Sequence, residues 1–211
     1  MSEERETILL LGDPGLRRLS AGVEDFDDPA VAGDGRRLIR ALEQFRAEYG
    51  FGRAISAPQI GIHRRMIAMN LGSGPFLLVN PEITFRSAER FTLWDDCMSF
   101  PWLMVKLERH STIDLRFRDE HGAPSEWTAV ETAVSELLQH EIDHLDGVLA
   151  VDRALGRDAI IARKVYEARK EMFDRQVDYA ISPLAPPQGT DRAPGNSRNR
   201  RAASNIAPTI R

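Results

Sequence analysis

The chain has 211 residues, of which 42% are hydrophobic and 28% are charged, and its formal net charge is −4 at pH 7. These values are ordinary for a soluble globular protein and do not indicate a DNA-binding body. No apolar run approaches the ~20 residues of a transmembrane helix, the polar start lacks the pattern of a signal peptide, and the single cysteine excludes an internal disulfide. We therefore expect a cytoplasmic protein without membrane contacts.

The first predicted elements are a short apolar stretch at residues 8–11 and a turn at 12–15. Apolar side chains then recur at helical spacing over residues 34–49, which predicts an amphipathic helix that ends at Gly50. Strands are predicted from the content of β-branched and aromatic residues. They cover residues 66–69, 76–79 and 112–117, and a hairpin turn follows at 119–122.

The second half of the chain is predicted to contain two more helices. One covers residues 131–146, with an apolar stripe that buries it and Gly147 to close it. The other covers residues 158–177. The elements together predict an α+β fold in which antiparallel sheets pack around a central helix. We expect one domain over residues 1–180 and a disordered tail rich in Pro, Ser and Arg over residues 181–211.

The buried helix carries the sequence HEIDH at residues 140–144. His140 and His144 are four residues apart, so they project from one helix face and can bind one metal ion. Glu141 stands between them, where it can act as a general base. Two solvated histidines on a surface helix are the alternative, but the apolar neighbours of this motif favour a buried metal site.

A catalytic metal site of this kind needs a third protein ligand. The metzincin pattern requires a histidine at position 150, which is Ala150 in this chain. A thermolysin-like site would use a downstream glutamate, and the nearby candidate, Glu167, lies in a charged segment typical of a solvated helix face. Cys97 is the better candidate because it lies in a compact loop, although a lone intracellular cysteine is often only a small buried side chain.

At this point the chain resembles a known family, the peptide deformylases. The resemblance covers roughly residues 7–155 and is carried by three motifs in the family's order, GxGxAAxQ, EGCLS and QHExDH. The matching stretches are GRAISAPQ at residues 52–59, DDCMS at 95–99 and QHEIDH at 139–144, with shorter similarities at 12–14, 79–81 and 145–147.

The resemblance implies an enzyme that removes the formyl group from N-formylmethionine at the start of new polypeptides. Cys97, His140 and His144 would bind one divalent metal ion, typically Fe(II) in this family, with Zn(II) or Ni(II) as other occupants. Glu141 would take a proton from the attacking water and pass it to the departing amine. The substrate would be a formylated nascent peptide or another formamide.

The family pattern also assigns groups around the reacting carbonyl. The side-chain amide of Gln59 and the backbone N–H of Met98 would stabilise the oxyanion. Asp143 could hold a histidine or a backbone group in place, or it could be a solvated helix residue. By position, the residues expected to contact substrate are Gly52, Ala54, Ser56 and Asp96.

The chain departs from the family pattern around the substrate. Ala54 stands where the family has glycine and is expected to narrow the groove. Ser56 replaces an alanine, and Asp95 replaces a glutamate and is expected to face Arg109. Asp96 replaces a glycine and adds a carboxylate near the metal. Met104 stands where many bacterial members have arginine.

These departures leave three hypotheses. The chain is a peptide deformylase, a specialised deformylase for another formylated peptide or small molecule, or a deformylase-like protein with little turnover. The arginines of the tail could contact ribosomal RNA, with a solubilising tail as the alternative. No contact with DNA is expected.

Overall fold

The computed structural model describes residues 5–181 of the chain. Within this range the strands form two antiparallel sheets. The first sheet has the order β1-β2-β3-β6-β7, with strands at Ala54–Ser56, Met66–Asn70, Pro75–Arg86, Ile113–Arg118 and Pro124–Val130. The second sheet has the order β4-β5-β8, with strands at Arg90–Asp95, Leu103–His110 and Ile160–Ala162.

Four α-helices accompany the sheets in the described part of the chain. They are α1 at Pro29–Tyr49, α2 at Thr132–Leu145, α3 at Arg163–Ala168 and α4 at Lys170–Asp174. Helix α2 contacts both sheets, through β1 and β5, and residues 135–145 are all buried. Its apolar side chains Leu138, Ile142 and Leu145 join the core of the five-stranded sheet. This arrangement confirms the predicted α+β fold with a central helix.

Helix α1 is longer than predicted because its start carries a local signal that apolar periodicity does not detect. The Asp28 side chain accepts a hydrogen bond from the N–H of Ala30 at 2.9 Å, and Pro29 occupies the first helical position. The helix therefore begins five residues before the predicted start. Its predicted end is confirmed, since Gly50 takes a φ of 74° that glycine adopts without strain.

The prediction of one helix over residues 158–177 is wrong. Ile160–Ala162 instead forms β8, which pairs with β5 in the register Val105↔Ile160. The remaining residues form two short helices separated at Arg169, whose φ of −136° is not helical. Pairing with an available sheet edge outweighs helix propensity in this segment.

The three predicted strands are present as β2, β3 and β6, but their bounds differ from the prediction. The largest difference is in β3, which was predicted over residues 76–79 and covers Pro75–Arg86. The predicted hairpin turn is confirmed by a hydrogen bond from the N–H of Gly122 to the carbonyl of Asp119 at 3.1 Å. Residues 8–11 form no strand. Instead, the backbone N–H of Leu9 donates a hydrogen bond to the carbonyl of Gln59 at 2.7 Å. The backbone N–H of Leu11 donates one to the carbonyl of Ser99 at 2.9 Å.

The predicted tail at 181–211 lies, apart from Ile181, outside the described residues. None of the helices within residues 5–181 has the length and apolar character that crossing a membrane requires.

Candidate metal centre

Three side chains with metal-binding atoms converge where α2 passes the loop after β4. Helix α2 presents His140 and His144, and the loop presents Cys97. The Nε2 atoms of the two histidines are 3.2 Å apart, and Cys97 Sγ lies 3.3 Å from His144 Nε2. All three ligand atoms lie within 4.8 Å of one another, and all three residues are buried.

These separations fit a tetrahedral metal site. Zinc–nitrogen distances of about 2.0–2.1 Å and zinc–sulfur distances of about 2.3 Å place neighbouring tetrahedral ligands about 3.3–3.6 Å apart. The observed separations, 3.2 Å between the two Nε2 atoms and 3.3 Å between Cys97 Sγ and His144 Nε2, are slightly shorter than these values. Three protein ligands leave a fourth position for water or substrate, as a catalytic site requires. Thiolate and imidazole are ligands that suit Fe(II), Zn(II) and Ni(II).

Burial affects the pKa values of the three candidate ligands in different ways. Burial raises the pKa of the Cys97 thiol. Burial and the adjacent His140 hold the pKa of His144 well below its ordinary value. For His140, burial alone would lower the pKa, but the Asp95 carboxylate outweighs it and raises the pKa well above the ordinary value. Metal ions bind thiolate and neutral imidazole, and a bound cation favours those forms.

Asp95 fixes the orientation of His140. Its Oδ2 lies 2.9 Å from His140 Nδ1, which leaves Nε2 directed at the metal-binding position. The same oxygen lies 3.4 Å from Arg109 Nη2, which confirms the predicted pairing with Arg109. Burial alone would raise the pKa of Asp95, but His140 and Arg109 outweigh it and lower that pKa to about 2. Nδ1 of His144 has no such partner among residues 5–181.

Asp143 contacts two arginines, Arg109 and Arg153, rather than a histidine. It is buried, pairs with Arg109, and accepts hydrogen bonds from Arg153 at 2.5 and 2.6 Å. The alternative of a solvated helix residue is therefore wrong. Because Arg109 also contacts Asp95, the chain of contacts runs from Asp143 to the candidate ligand His140.

Glu141 and Ser56 form a buried pair beside the candidate ligands. The Ser56 hydroxyl lies 2.5 Å from Glu141 Oε2 and 2.8 Å from Glu141 O. Burial raises the pKa of Glu141 despite the nearby His140 and this hydroxyl. Ser56 was expected at the substrate, but its side chain is fully buried and does not line the cavity. A serine at this position instead holds the carboxylate of Glu141.

Gln59 directs its amide N–H group toward the cysteine. Its Oε1 accepts the backbone N–H of Ser56 at 2.9 Å, which leaves Nε2 as the donor on the other side. That Nε2 lies 3.6 Å from Cys97 Sγ and 3.2 Å from Ser99 Oγ. The backbone N–H of Met98 has no acceptor among residues 5–181. Two donors therefore stand next to the candidate metal ligands.

A cavity of about 360 Å³ opens onto these groups. Three of the predicted substrate residues line it, namely Gly52, Ala54 and Asp96. Gly52 has a φ of 111°, and a Cβ added there would lie 2.5 Å from Cε of Met98. The backbone conformation therefore favours glycine at this position, and any other residue would also displace the end of the Met98 side chain.

The carboxylate of Asp96 pairs with an arginine of α3. It accepts a hydrogen bond from Arg163 Nη2 at 2.6 Å, and this guanidinium also covers the ring of Phe51 at 4.7 Å. Met104 is buried and lines the same cavity. Asp96 was expected to place a carboxylate near the metal. Its carboxylate instead links the loop that carries Cys97 to α3.

Sequence reasoning did not identify Asp95 as the partner of His140 or Ser56 as the partner of Glu141. The two residues of the first pair are 45 positions apart and those of the second are 85 apart, so no local pattern links them. A second ion pair in the cavity wall, between Arg53 and Glu136, was also missed. The only feature of the sequence that indicated this ion pair was an arginine, Arg53, within the glycine-containing motif at residues 52–59.

Comparisons with known proteins show which family the chain resembles. The family model described as polypeptide deformylase matches residues 5–159. The peptide deformylase of Pseudothermotoga lettingae is 35% identical over 178 residues, which cover 83% of this chain and 98% of that protein.

Solved structures give the same result. The crystal structure of peptide deformylase from Thermotoga maritima matches with a TM-score of 0.66 and 32% identity, covering 72% of this chain and 99% of that one. The peptide deformylase of Synechococcus elongatus, solved in complex with actinonin, matches with a TM-score of 0.66 and 29% identity, covering 74% and 82%. The chain belongs to the polypeptide deformylase family.

Proposed function

We propose that this protein is a metal-dependent hydrolase that removes the formyl group from N-formylmethionyl peptides. The observation that carries this proposal is the arrangement around the cavity. Two of the three buried candidate ligands, Cys97 and His140, line it, with the Glu141 carboxylate and the Gln59 amide donor beside them. A formamide bond in this cavity would meet a base and an oxyanion donor at the same time.

The proposed metal site consists of Cys97, His140 and His144, with Fe(II) as the native ion and Zn(II) or Ni(II) as substitutes. When bound, the divalent cation supplies Lewis-acid polarisation and an activated water at neutral pH. Asp95 contacts Nδ1 of His140, so Nε2 would be the atom that binds the ion.

Glu141 is the proposed proton carrier. The Ser56 hydroxyl engages its Oε2, so Oε1 is the oxygen available to take a proton from the attacking water. The same oxygen then delivers this proton to the amine as the C–N bond breaks, because the peptide product leaves as a free amine. Burial raises the pKa of Glu141, which makes its carboxylate a stronger base for the first half of this transfer.

The proposed oxyanion donors are Gln59 Nε2 and the backbone N–H of Met98. Gln59 is held by its Oε1, so its donor side does not have to reorganise during the reaction. Gly52, Ala54 and Asp96 are the proposed contacts for the substrate backbone, because they line the cavity next to these donors.

A specialised deformylase is a second candidate, because ion pairs line the cavity. Arg163 pairs with Asp96, and Arg53 pairs with Glu136. A third candidate, a deformylase-like protein with little turnover, gains no support from the site, since binding alone would not require Glu141 or Gln59.

The site is expected to act on nascent chains in the cytoplasm. Contact with the ribosome through the arginines of residues 181–211 remains a proposal. It is tested by salt-dependent co-sedimentation of the full chain and of a chain ending at residue 181.

The enzymatic proposal is tested with Ni(II)- or Fe(II)-loaded protein and formyl-Met-Ala. Wild-type protein should release formate, and Glu141→Ala should lose turnover while it retains the metal. Asp114→Asn is the matched control, since Asp114 lies on β6 and only accepts a hydrogen bond from Ala129 N. Turnover by the Glu141 variant would remove this residue from the mechanism, and a metal-loaded wild type that cleaves no formyl peptide would refute the function.

A further inference from the structure

An ion pair forms part of the cavity wall next to the proposed metal site. Arg53 and Glu136 pair through Nη2 and Oε1, and a second guanidinium nitrogen, Nη1, donates to Ala133 O at 2.7 Å. The Glu136 side chain is 1% exposed and the Arg53 side chain is 22% exposed. Both residues line the cavity that His140 and Glu141 also line.

The pair lies at the distance that a substrate side chain would reach. Glu136 precedes His140 by four residues on α2, so their side chains share one helix face about one turn, or ~5.4 Å, apart. In a formylated peptide, the first α-carbon is separated from the formyl carbon only by the amide nitrogen. A side chain with the length of methionine or glutamine can therefore reach from the formyl group to the Arg53–Glu136 pair.

The pair has hydrogen-bonding capacity that the protein does not use. Glu136 Oε2 accepts no hydrogen bond from the described residues. Arg53 has five N–H donors, of which the two bonds to Glu136 and Ala133 use two. An aliphatic side chain placed against these groups would remove their water and return no hydrogen bond.

The charges around the pair also restrict what it can bind. Arg53 and Glu136 neutralise each other, so a charged ligand would introduce an unbalanced charge into a largely buried site. The other charged residues that line the cavity also disfavour an anionic side chain. They include four carboxylates, of Asp95, Asp96, Glu141 and Glu167, but only two cations, Arg163 and Lys170. A neutral group that both donates and accepts hydrogen bonds can satisfy Glu136 and Arg53 together.

We propose that the Arg53–Glu136 pair selects, beside the formyl group, a neutral polar side chain that both donates and accepts hydrogen bonds, such as the carboxamide of glutamine. This inference rests on the proposed deformylase chemistry and develops the second candidate, a specialised deformylase, by naming its preferred side chain. The carboxamide N–H would donate to Glu136 Oε2, and its oxygen would accept from the Arg53 guanidinium. Leu137, which lines the same cavity, would contact the methylene carbons.

The test compares formyl-Gln-Ala with formyl-Met-Ala, because the two side chains have similar length and differ mainly in polarity. Wild-type protein should show a kcat/KM about 10–100-fold higher for the glutamine substrate. The double variant Arg53→Leu/Glu136→Leu should reverse this preference, and Arg53→Gln/Glu136→Gln should retain it. Paired replacement avoids leaving one buried charge without its partner.

Two controls separate this inference from folding and from the proposed function. Arg116→Leu/Glu82→Leu removes an exposed ion pair between β3 and β6, and the substrate preference should not change. Calorimetry measures the affinity of the protein for the products Gln-Ala and Met-Ala, and therefore tests the same preference without turnover. Gln-Ala should bind more tightly to wild-type protein.

Each outcome has a defined meaning. The inference would be overturned if wild-type protein preferred formyl-Met-Ala and the Arg53→Leu/Glu136→Leu variant showed the same preference. That result would leave the deformylase function intact. Absence of turnover on every formyl peptide would refute the function, while tighter binding of Gln-Ala would still support the selective role of the pair. Equal binding of the two products would overturn that role.

Discussion

Asp95→Asn is expected to weaken metal binding without removing a metal ligand. Asparagine retains one side-chain oxygen that can accept from His140 Nδ1, so the imidazole can keep its orientation. It loses the negative charge that strengthens this hydrogen bond and makes the opposite ring nitrogen a better ligand.

The size of the effect follows from these contacts. Loss of a partner that orients a metal-binding histidine typically costs 10–100-fold in affinity, or about 1.4–2.7 kcal/mol. We expect the lower end, about 10-fold, because the neutral acceptor remains. Arg109 loses one of its carboxylates but keeps Asp143, so the unfolding free energy should fall by about 1–3 kcal/mol rather than by the cost of a fully unpaired buried charge.

The assay is competition for Zn(II) or Ni(II) against a chromophoric chelator, with unfolding in urea measured on the same samples. Asp114→Asn provides the control, since an asparagine there can still accept the Ala129 N–H. An unchanged metal affinity in Asp95→Asn would refute the view that Asp95 supports His140. A folded variant that binds no metal would show that the negative charge, and not the orientation of the ring, is essential.

Three further predictions concern other parts of the chain. Ser56→Ala should lower kcat of formyl-Met-Ala cleavage about 10-fold or more with unchanged metal content, since a hydrogen bond to Glu141 is lost; an unchanged kcat would contradict this role. Gly147→Ala should lower the unfolding free energy in urea by about 1–3 kcal/mol, because φ is 70° and a Cβ would lie 2.5 Å from a backbone carbonyl oxygen. Gly50→Ala, at a similar φ with open space around it, should cost less. Burial alone would raise the pKa of Glu6, but two arginines of α1 outweigh it and lower that pKa. The stabilisation by this carboxylate is therefore complete above its unfolded pKa and is lost as pH falls through the folded value. Replacing Glu6 by glutamine should cost about 1 kcal/mol at neutral pH and nothing in acid, and a pH-independent loss would contradict this sign.

The parts of the structure that the sequence predicts are those that depend on neighbours in the chain. Helical periodicity and a closing glycine identify α2 and place His140, Glu141 and His144 on it. The contact of Cys97 with this helix joins residues 47 positions apart, and its prediction depended on the ligand requirement and the family motif. A similar separation, 45 positions, explains why the Asp95–His140 contact was missed.

The incorrect helix after residue 158 has a related cause. Its charged and apolar residues favour a helix when they are considered alone. The free edge of β5 is formed by Leu103–His110, a segment remote in sequence, and this edge takes Ile160–Ala162 as a strand. A pattern confined to residues 158–177 contains no information about that edge.

The N-terminal hydrogen bonds of Leu9 to Gln59 and of Leu11 to Ser99 link the assembly of the site to the order of synthesis. The segment that makes these bonds is synthesised first, but its partners follow much later in the chain. It can therefore bridge the glutamine loop and the cysteine loop only after both have been made. Joining distant parts of the chain in this way is slow, so we expect Gln59 and Cys97 to reach their final separation late in folding.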